Sequence, residues 1–424
     1  MDAYKERIFD QLLRRKLDGM GAVLIEGPKW CGKTTTAEHQ ASSVLYMNDP
    51  KHYQQNMQMA DQDPQALLEG ATPRLIDEWQ EAPKLWDTVR FEVDHRGQDG
   101  LFILTGSAVP ADMSEVHHTG TGRIARMQMR TMSLWESGES TGDISLVSLF
   151  SGSARNVATM DKTLQEVAYL VCRGGWPRAV TQKPSVALER AYDYLNAIVN
   201  SDISRVDGVS RDPDRTRRLM RSYARFQGAQ APLSKLRADV MAGTDGTFDE
   251  KTLSSYLGAL NKMFVIEDMP SWNPNLRSKA AIRSSETRYF TDPSIAAAAL
   301  GVGPKDLMND LKTYGLLFET MCVRDLRVYA QAINGLVYHY RDSDGLECDA
   351  VIHLRNGDYG LVEIKLGGDR LIEEGAKSLQ RLHKKLDTSR MREPSFLMVL
   401  VATGNYAYRR SDGVWVVPIG SLKH

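Results

Sequence analysis

No stretch limits the fold more than AVLIEGPKWCGKTTTAEHQ, residues 22–40. Residues 22–25 form a short apolar run of the kind that becomes a buried parallel strand, and a helical segment follows the loop. Between them Gly27, Pro28, Lys29, Trp30, Cys31, Gly32, Lys33 and Thr34 match G-x-x-x-x-G-K-[ST] in full, with Thr35 next. Glycines let backbone N–H groups close around phosphate oxygens, and the helix start adds a partial positive charge. The motif predicts ATP or ADP as ligand, Lys33 reaching the β- and γ-phosphates and Thr34 holding Mg²⁺. A buried parallel strand running into a helix also predicts an α/β fold.

Such a loop needs a carboxylate strand, and PRLIDEWQ at 73–80 supplies it. Asp77 would hold the metal through water, while Glu78 would orient and deprotonate the attacking water. GLFILTGSAVP at 100–110 predicts another buried strand, ending in Thr105, Gly106 and Ser107. In the following TGTGRIARMQMRTMSLWES, Arg123 and Arg126 are candidates for an arginine finger, with ordinary surface arginines as the other reading. A finger acting in trans would require a homo-oligomer.

Residues 137–157 are rich in Ser and Gly and read as a linker or long loop. TLQEVAYLVCRGG is a helix stopping at Gly174 and Gly175, and the RGGWP that overlaps its end is a structural turn. Between 205 and 225 lie Arg205, Arg211, Arg215, Arg217, Arg218, Arg221 and Arg225, a basic run suited to phosphate-backbone contacts or to a solvated helix with local ion-pair partners. Two helices and a strand over 232–272 give a winged-helix pattern, with Leu253, Leu257, Leu260 and Met263 on one face of the second helix.

The C-terminal hundred residues run helix, strands, helix, strand. In ECDAVIHLRNGDYGLVEIK, residues 347–365, period-2 alternation puts Glu347 and Asp349 on one strand face, and Glu363 and Lys365 on another. With Glu319 from the preceding helix, Asp349 and Glu363 are a hard-oxygen set for Mg²⁺, and Lys365 would help prepare water for attack on a phosphodiester. The same residues also fit the polar rim of an ordinary hairpin. Gln380, on the next helix, is a weaker candidate.

The order GPKWCGKT, LIDEW, FILTGS, TGR, LWE, RGGWP, RYFTDPSIAAA and GLLFE resembles a family of prokaryotic AAA-like P-loop ATPases. The resemblance implies an AAA-like ATPase domain (1–137) in which Thr105 senses the γ-phosphate. It further implies a helical and winged-helix-like middle (158–300) and a C-terminal domain (308–424) similar to PD-(D/E)xK nucleases, restriction-endonuclease-like in fold. The order Glu319, Asp349, Glu363, Lys365 resembles that nuclease core, particularly archaeal Holliday-junction resolvases. Two functions follow: an ATPase coupled to a nuclease-like domain acting on DNA or RNA, or a nucleotide-dependent switch whose C-terminal domain binds a protein partner without cutting.

Composition narrows the partners. A formal net charge of −1 gives no global attraction to nucleic acid or an anionic membrane, so any such contact needs a local patch. Four cysteines without a CxxC pair argue against a zinc cluster or disulfide framework. The charged N-terminus predicts an amphipathic helix, no run is apolar enough to span a bilayer, and a cytoplasmic location is expected.

Overall fold

The computed structural model describes residues 4–106, 117–159, 162–242, 248–274 and 285–424; Ser107 lies outside them. Helix α1 (Ile8–Leu17) is the amphipathic helix expected at the N-terminus, burying Ile8, Phe9, Leu12, Leu13 and Leu17.

Among the described residues the first sheet has β1 (Ala22–Glu26), β2 (Ser43–Tyr46), β3 (Arg74–Asp77), β4 (Phe102–Thr105) and β5 (Ile124–Gln128). Their order is β2-β3-β4-β1-β5, every pair parallel. Both faces of the central strands β1 and β4 are covered, which is why these two are the apolar ones, while β2, β3 and β5 carry polar residues. Val23 and Ile25 point to the core shared with α1 and α2 (Lys33–Glu38), while Ala22 and Leu24 point to the core shared with α3 (Lys84–Arg96). The register sets Ile25 beside Thr105 and Thr105 beside Asp77. The loop after β1, Asp77 and Thr105 therefore share the carboxyl edge of the sheet, where ligands of open α/β sheets bind.

The stretch 137–157, expected to be a linker, is instead sewn into the C-terminal half. β6 (Ile144–Ser145) pairs with a strand at 422–423, and β7 (Val157–Ala158) pairs with one at 406–409. A short helix, Leu146–Phe150, lies between them. Ser145 caps that helix by accepting from the Ser148 N–H, and Ile144, Leu146 and Leu149 are buried. Ser145 is a helix cap rather than flexible filler.

Helix α4 (Leu164–Arg173) stops at Gly174, as its glycines predict. α5 (Pro184–Ala197) runs into a π turn over Ile198–Asp202. Then come α6 (Pro213–Arg225), α7 (Leu233–Met241) and α8 (Glu250–Lys262), followed by a narrow ribbon in which Ile266 bridges Phe290 and Met269 bridges Thr287. Leu253, Leu257, Leu260 and Met263 are all buried, as their spacing predicts. Helix α9 (Pro293–Leu300) closes this region.

The long helix α10 (Leu311–Ala332) leads into β8 (Gly335–Arg341), β9 (Glu347–Leu354) and β10 (Tyr359–Lys365), then α11 (Asp369–Lys385), β11 (Phe396–Val401), β12 (Tyr406–Arg409), β13 (Trp415–Pro418) and β14 (Leu422–Lys423). The second sheet has the order β7-β12-β13-β11-β10-β9-β8. β10, β11 and β13 are mutually parallel, while β8, β9 and β10 form an antiparallel meander.

One buried polar hub joins the parts. Asp292 accepts from Thr131 Oγ1 at 2.7 Å, Gly175 N at 2.9 Å and Arg324 Nη1 at 3.1 Å. Arg324 also pairs with Asp325, which accepts from Leu134 N at 3.0 Å. Both partners of the Asp292–Arg324 pair are buried, so the contacts on every side have to be present together.

Candidate functional site

The phosphate loop closes as its sequence predicts. A Cβ on Gly27 would lie 2.1 Å from the Met129 carbonyl oxygen, so only glycine lets the loop pass that close to the end of β5. Lys33 is buried, its ammonium donating to the Gly27 and Pro28 carbonyls at 2.9 Å each. Thr34 Oγ1 donates to Asp77 Oδ1 at 2.8 Å, and Thr105 Oγ1 donates to the same oxygen at 2.5 Å. Three strands thus bring Lys33, Thr34, Asp77 and Thr105 to one place.

Glu78 follows Asp77 in a left-handed conformation with φ +54°, uncommon for a non-glycine residue. Its carboxylate accepts from the Gln80 side-chain amide. Burial, reinforced by Asp77, pushes its pKa above the usual carboxylate value, with the Gln80 hydrogen bond pulling the other way.

The variable loop positions reach into the middle region, which the sequence did not reveal. Lys29 Nζ lies 2.8 Å from Asp202 Oδ1, on the π turn. The Trp30 ring, half exposed, packs 5.4 Å from that of Tyr194, which lies 4.4 Å from Trp176. Cys31 is buried, and beside the loop lies a cavity of about 190 Å³ lined by residues including Tyr4, Gly32, Thr35, Met132 and Pro177.

Neither arginine candidate meets this site within the chain. Arg123 precedes β5, at the amino edge of the sheet opposite the loop, and pairs with Asp94 at 2.7 Å. Arg126 pairs with Glu26 at 2.9 Å and lies over the Trp86 ring. In the basic run, Arg211 is buried against Asp207 and Arg225 pairs with Asp239, while Arg217, Arg218 and Arg221 face solvent on α6.

The C-terminal residues gather around Lys365. Its ammonium lies 2.6 Å from Glu363 Oε2 and 3.2 Å from Asp349 Oδ2, and Asp349 Oδ2 also accepts from Ile364 N at 2.7 Å. Ser378 Oγ donates to Glu363 Oε1 at 3.2 Å. Burial and the neighbouring Asp349 push Glu363 up to about 8. Fully buried Glu319 is likewise pushed up to about 8, by burial first and then by Asp349, and accepts from the Tyr289 hydroxyl. Burial alone would lower Lys365, but Asp349 and Glu363 outweigh it and hold its pKa above the ordinary value.

This differs from an open Mg²⁺ ligand set. Among the described residues no three His, Cys, Asp or Glu side chains converge as a metal-holding group. The reason is local: the Lys365 ammonium sits between Asp349 and Glu363, and Tyr289 takes Glu319. Residues Gly228 and Tyr289 of the middle region cover the cluster, and the cavity left there is about 30 Å³, roughly one water. A Cβ on Gly228 would come within 2.7 Å of Glu319 Oε1. Glu347 lines that cavity but is exposed and pairs with Arg341 at 3.0 Å. Gln380 donates to the Asp412 carbonyl at 2.8 Å and takes no part.

A parallel sheet with a full phosphate loop, and Asp77 and Thr105 at its carboxyl edge, defines a P-loop nucleotide-binding domain. In agreement, residues 20–137 match the family described as AAA domain. Residues 164–306 and 314–422 match two families each described as a domain of unknown function (DUF8612 and DUF4143). The chain is 23% identical over 413 residues to Uncharacterized protein Mb2031c of Mycobacterium bovis and Uncharacterized protein Rv2008c of Mycobacterium tuberculosis, covering 97% of this chain and 82% of each relative. Among solved structures, the Walker-type ATPase PabY2304 of Pyrococcus abyssi is 14% identical with a TM-score of 0.41, covering 68% of this chain and 94% of that one. The Hef helicase domain of Pyrococcus furiosus is 12% identical with a TM-score of 0.20, covering 93% and 89%. No helix among the described residues is long and apolar enough to cross a membrane.

Proposed function

We propose that the chain binds ATP with Mg²⁺ at the phosphate loop and hydrolyses it, and that nucleotide turnover controls a nuclease-like C-terminal domain that acts on DNA or RNA. What carries the first half is that Thr34 and Thr105 both donate to Asp77 Oδ1, at 2.8 and 2.5 Å, next to Lys33, whose ammonium donates to the loop carbonyls of Gly27 and Pro28 at 2.9 Å. Lys33 would exchange its two carbonyl partners for phosphate oxygens. The Thr34 hydroxyl and Asp77 carboxylate are hard oxygen donors one hydrogen bond apart, a set that fits Mg²⁺; when bound, the ion offsets phosphate charge. Thr105, at the same oxygen of Asp77, supports its reading as the γ-phosphate sensor. Glu78 would take the proton of the attacking water, its raised pKa favouring acceptance near neutral pH. The adjoining cavity of about 190 Å³ would receive the nucleoside. Lys33→Ala should abolish ATP binding by calorimetry, and Glu78→Gln should bind ATP without turning it over. Unchanged affinity in the first variant would sink the reading.

For the C-terminal half, support comes from the helix, three-strand meander, helix and strand order, with Asp349, Glu363 and Lys365 within 3.2 Å contacts. The residues as they stand do not fit a bound metal, so no cleavage step is derived. A second reading, a switch that binds a protein partner, is favoured by the same Lys365 neutralisation and by the 30 Å³ cavity. A panel of single-stranded, duplex and branched DNA and of RNA, with Mg²⁺ or Mn²⁺ and with or without ATP, separates them. Cleavage lost in Asp349→Ala supports the nuclease reading; equal inactivity of both proteins supports the switch.

A further inference from the structure

We infer that Arg7, upstream of the matched AAA segment, is a positioning residue for the phosphate loop, holding the Cys31 carbonyl so that the next peptide N–H faces the phosphates. This rests on the ATP-binding reading above. Arg7 is buried, and its three nitrogens go to three places. Nη1 donates to the Cys31 carbonyl at 3.0 Å, Nε to Glu136 Oε1 at 3.0 Å and Nη2 to the Arg130 carbonyl at 2.9 Å.

Each anchor is itself fixed. Glu136 Oε1 also accepts from Ile8 N at 2.9 Å, and Oε2 accepts from Ser133 N at 2.8 Å. The Arg7 backbone N–H donates to the buried Asp10 carboxylate at 2.7 Å. The guanidinium is therefore held at the Cys31 carbonyl from three directions and has no freedom to swing. In a planar trans peptide the C=O and the following N–H point in opposite directions. Whatever grips the Cys31 oxygen on one side thus decides where the Gly32 N–H points on the other. Gly32 N–H belongs to the phosphate-binding run of the motif. A planar fork can serve the Cys31 carbonyl, the Arg130 carbonyl and Glu136 together, and a lysine point charge cannot.

The geometry also provides the control. Arg7 borders the cavity of about 190 Å³ beside Gly32, Thr35 and Thr36, so a small guanidinium has room to reach its place. Arg7 is the N-cap of α1 with φ −105°, a position where glycine costs a helix little.

The test is a titration with N-methylanthraniloyl-ADP and Mg²⁺ on the full chain. Proteins would be wild type, Arg7→Lys, Arg7→Gly and Lys33→Ala, with methylguanidinium or methylammonium added at equal ionic strength. Losing a charge-assisted contact should weaken binding about tenfold in Arg7→Lys and Arg7→Gly. Methylguanidinium, and not methylammonium, should recover most of that loss in Arg7→Gly and none in Lys33→Ala. Wild-type affinity in Arg7→Lys overturns the inference. So does a loss in Arg7→Gly that methylguanidinium leaves untouched, which would mark a purely structural role. A wild type that fails to bind would overturn the ATP reading itself, a different result from either.

Discussion

Asp292→Ala should be among the most costly single substitutions in this chain. The fully buried carboxylate accepts five hydrogen bonds: from Thr131 Oγ1, Gly175 N, Ser294 N, Ser294 Oγ and Arg324 Nη1. Burial opposes its charge, yet Arg324 and these donors bring its pKa below the ordinary value. Removing one partner of a buried ion pair costs about 3–5 kcal/mol, and each donor left unsatisfied adds about 1–3 kcal/mol unless water replaces the lost oxygen. Arg324 keeps Asp325, so the low end of about 3 kcal/mol applies to it, and with water serving all but one of the other donors the total is about 4 kcal/mol. Against a typical stability of about 5–15 kcal/mol this is a large fraction. Urea unfolding followed by tryptophan fluorescence would measure it, because the Trp176 indole donates to Ser294 Oγ at 2.9 Å and reports on the hub. Since the group's pKa is depressed, its contribution is complete above the unfolded-state pKa of Asp and is lost as pH falls through the folded value. A double variant with Arg324→Met should cost less than the two single changes together, by about 1–3 kcal/mol. A cost below about 1 kcal/mol for Asp292→Ala, or strict additivity, would refute the reasoning.

The remaining expectations concern titration. Glu78 must be ionised to accept a proton, and its pKa is raised, so ATP turnover should climb with pH along a limb above the usual carboxylate range of about 4.3. A pH–rate profile without that limb would remove Glu78 as the base. Fully buried Glu319, whose pKa is raised by burial first and then by Asp349, favours the folded state when protonated. Its contribution is therefore complete below the unfolded-state value and is lost as pH rises through the raised folded value. Melting temperature should fall from pH 6 to 9 and fall less in Glu319→Gln; parallel curves would contradict the burial argument.

The phosphate site was legible because its chemistry is local. A strand, a glycine loop and a helix lie within twenty residues, and apolar runs at 73–80 and 100–110 end in the residues that the sheet register then aligns. Nothing local marks Arg7 as a partner of the Cys31 carbonyl, or Lys29 as a partner of Asp202, because those pairs form only once separate elements pack. At the C-terminus, period-2 alternation paired Glu347 with Asp349 on one strand face and Glu363 with Lys365 on another. It gave no sign that Lys365 would serve as the counter-ion of Asp349 and Glu363 or that Gly228 and Tyr289 would lie over Glu319. Serine and glycine content suggested a loose linker at 137–157, whereas a few buried apolar residues, Ile144, Leu146 and Leu149, decide its structure. Strand direction puts Arg123 at the amino edge of the sheet, away from its own phosphate loop, so a finger role for it would have to be in trans.

The pairing of β6 with β14 and of β7 with β12 has a consequence for synthesis. Residues 144–158 emerge from the ribosome more than 240 residues before their strand partners at 406–409 and 422–423. At about 5–20 residues per second, that is a wait of about 12 to 50 s. Through that interval the nucleotide-binding segment can already fold, while the tail behind it carries unpaired strand edges and uncovered apolar side chains. Nascent chains stalled before residue 406 would display a phosphate loop and an adhesive edge together, the form that a chaperone would be expected to hold.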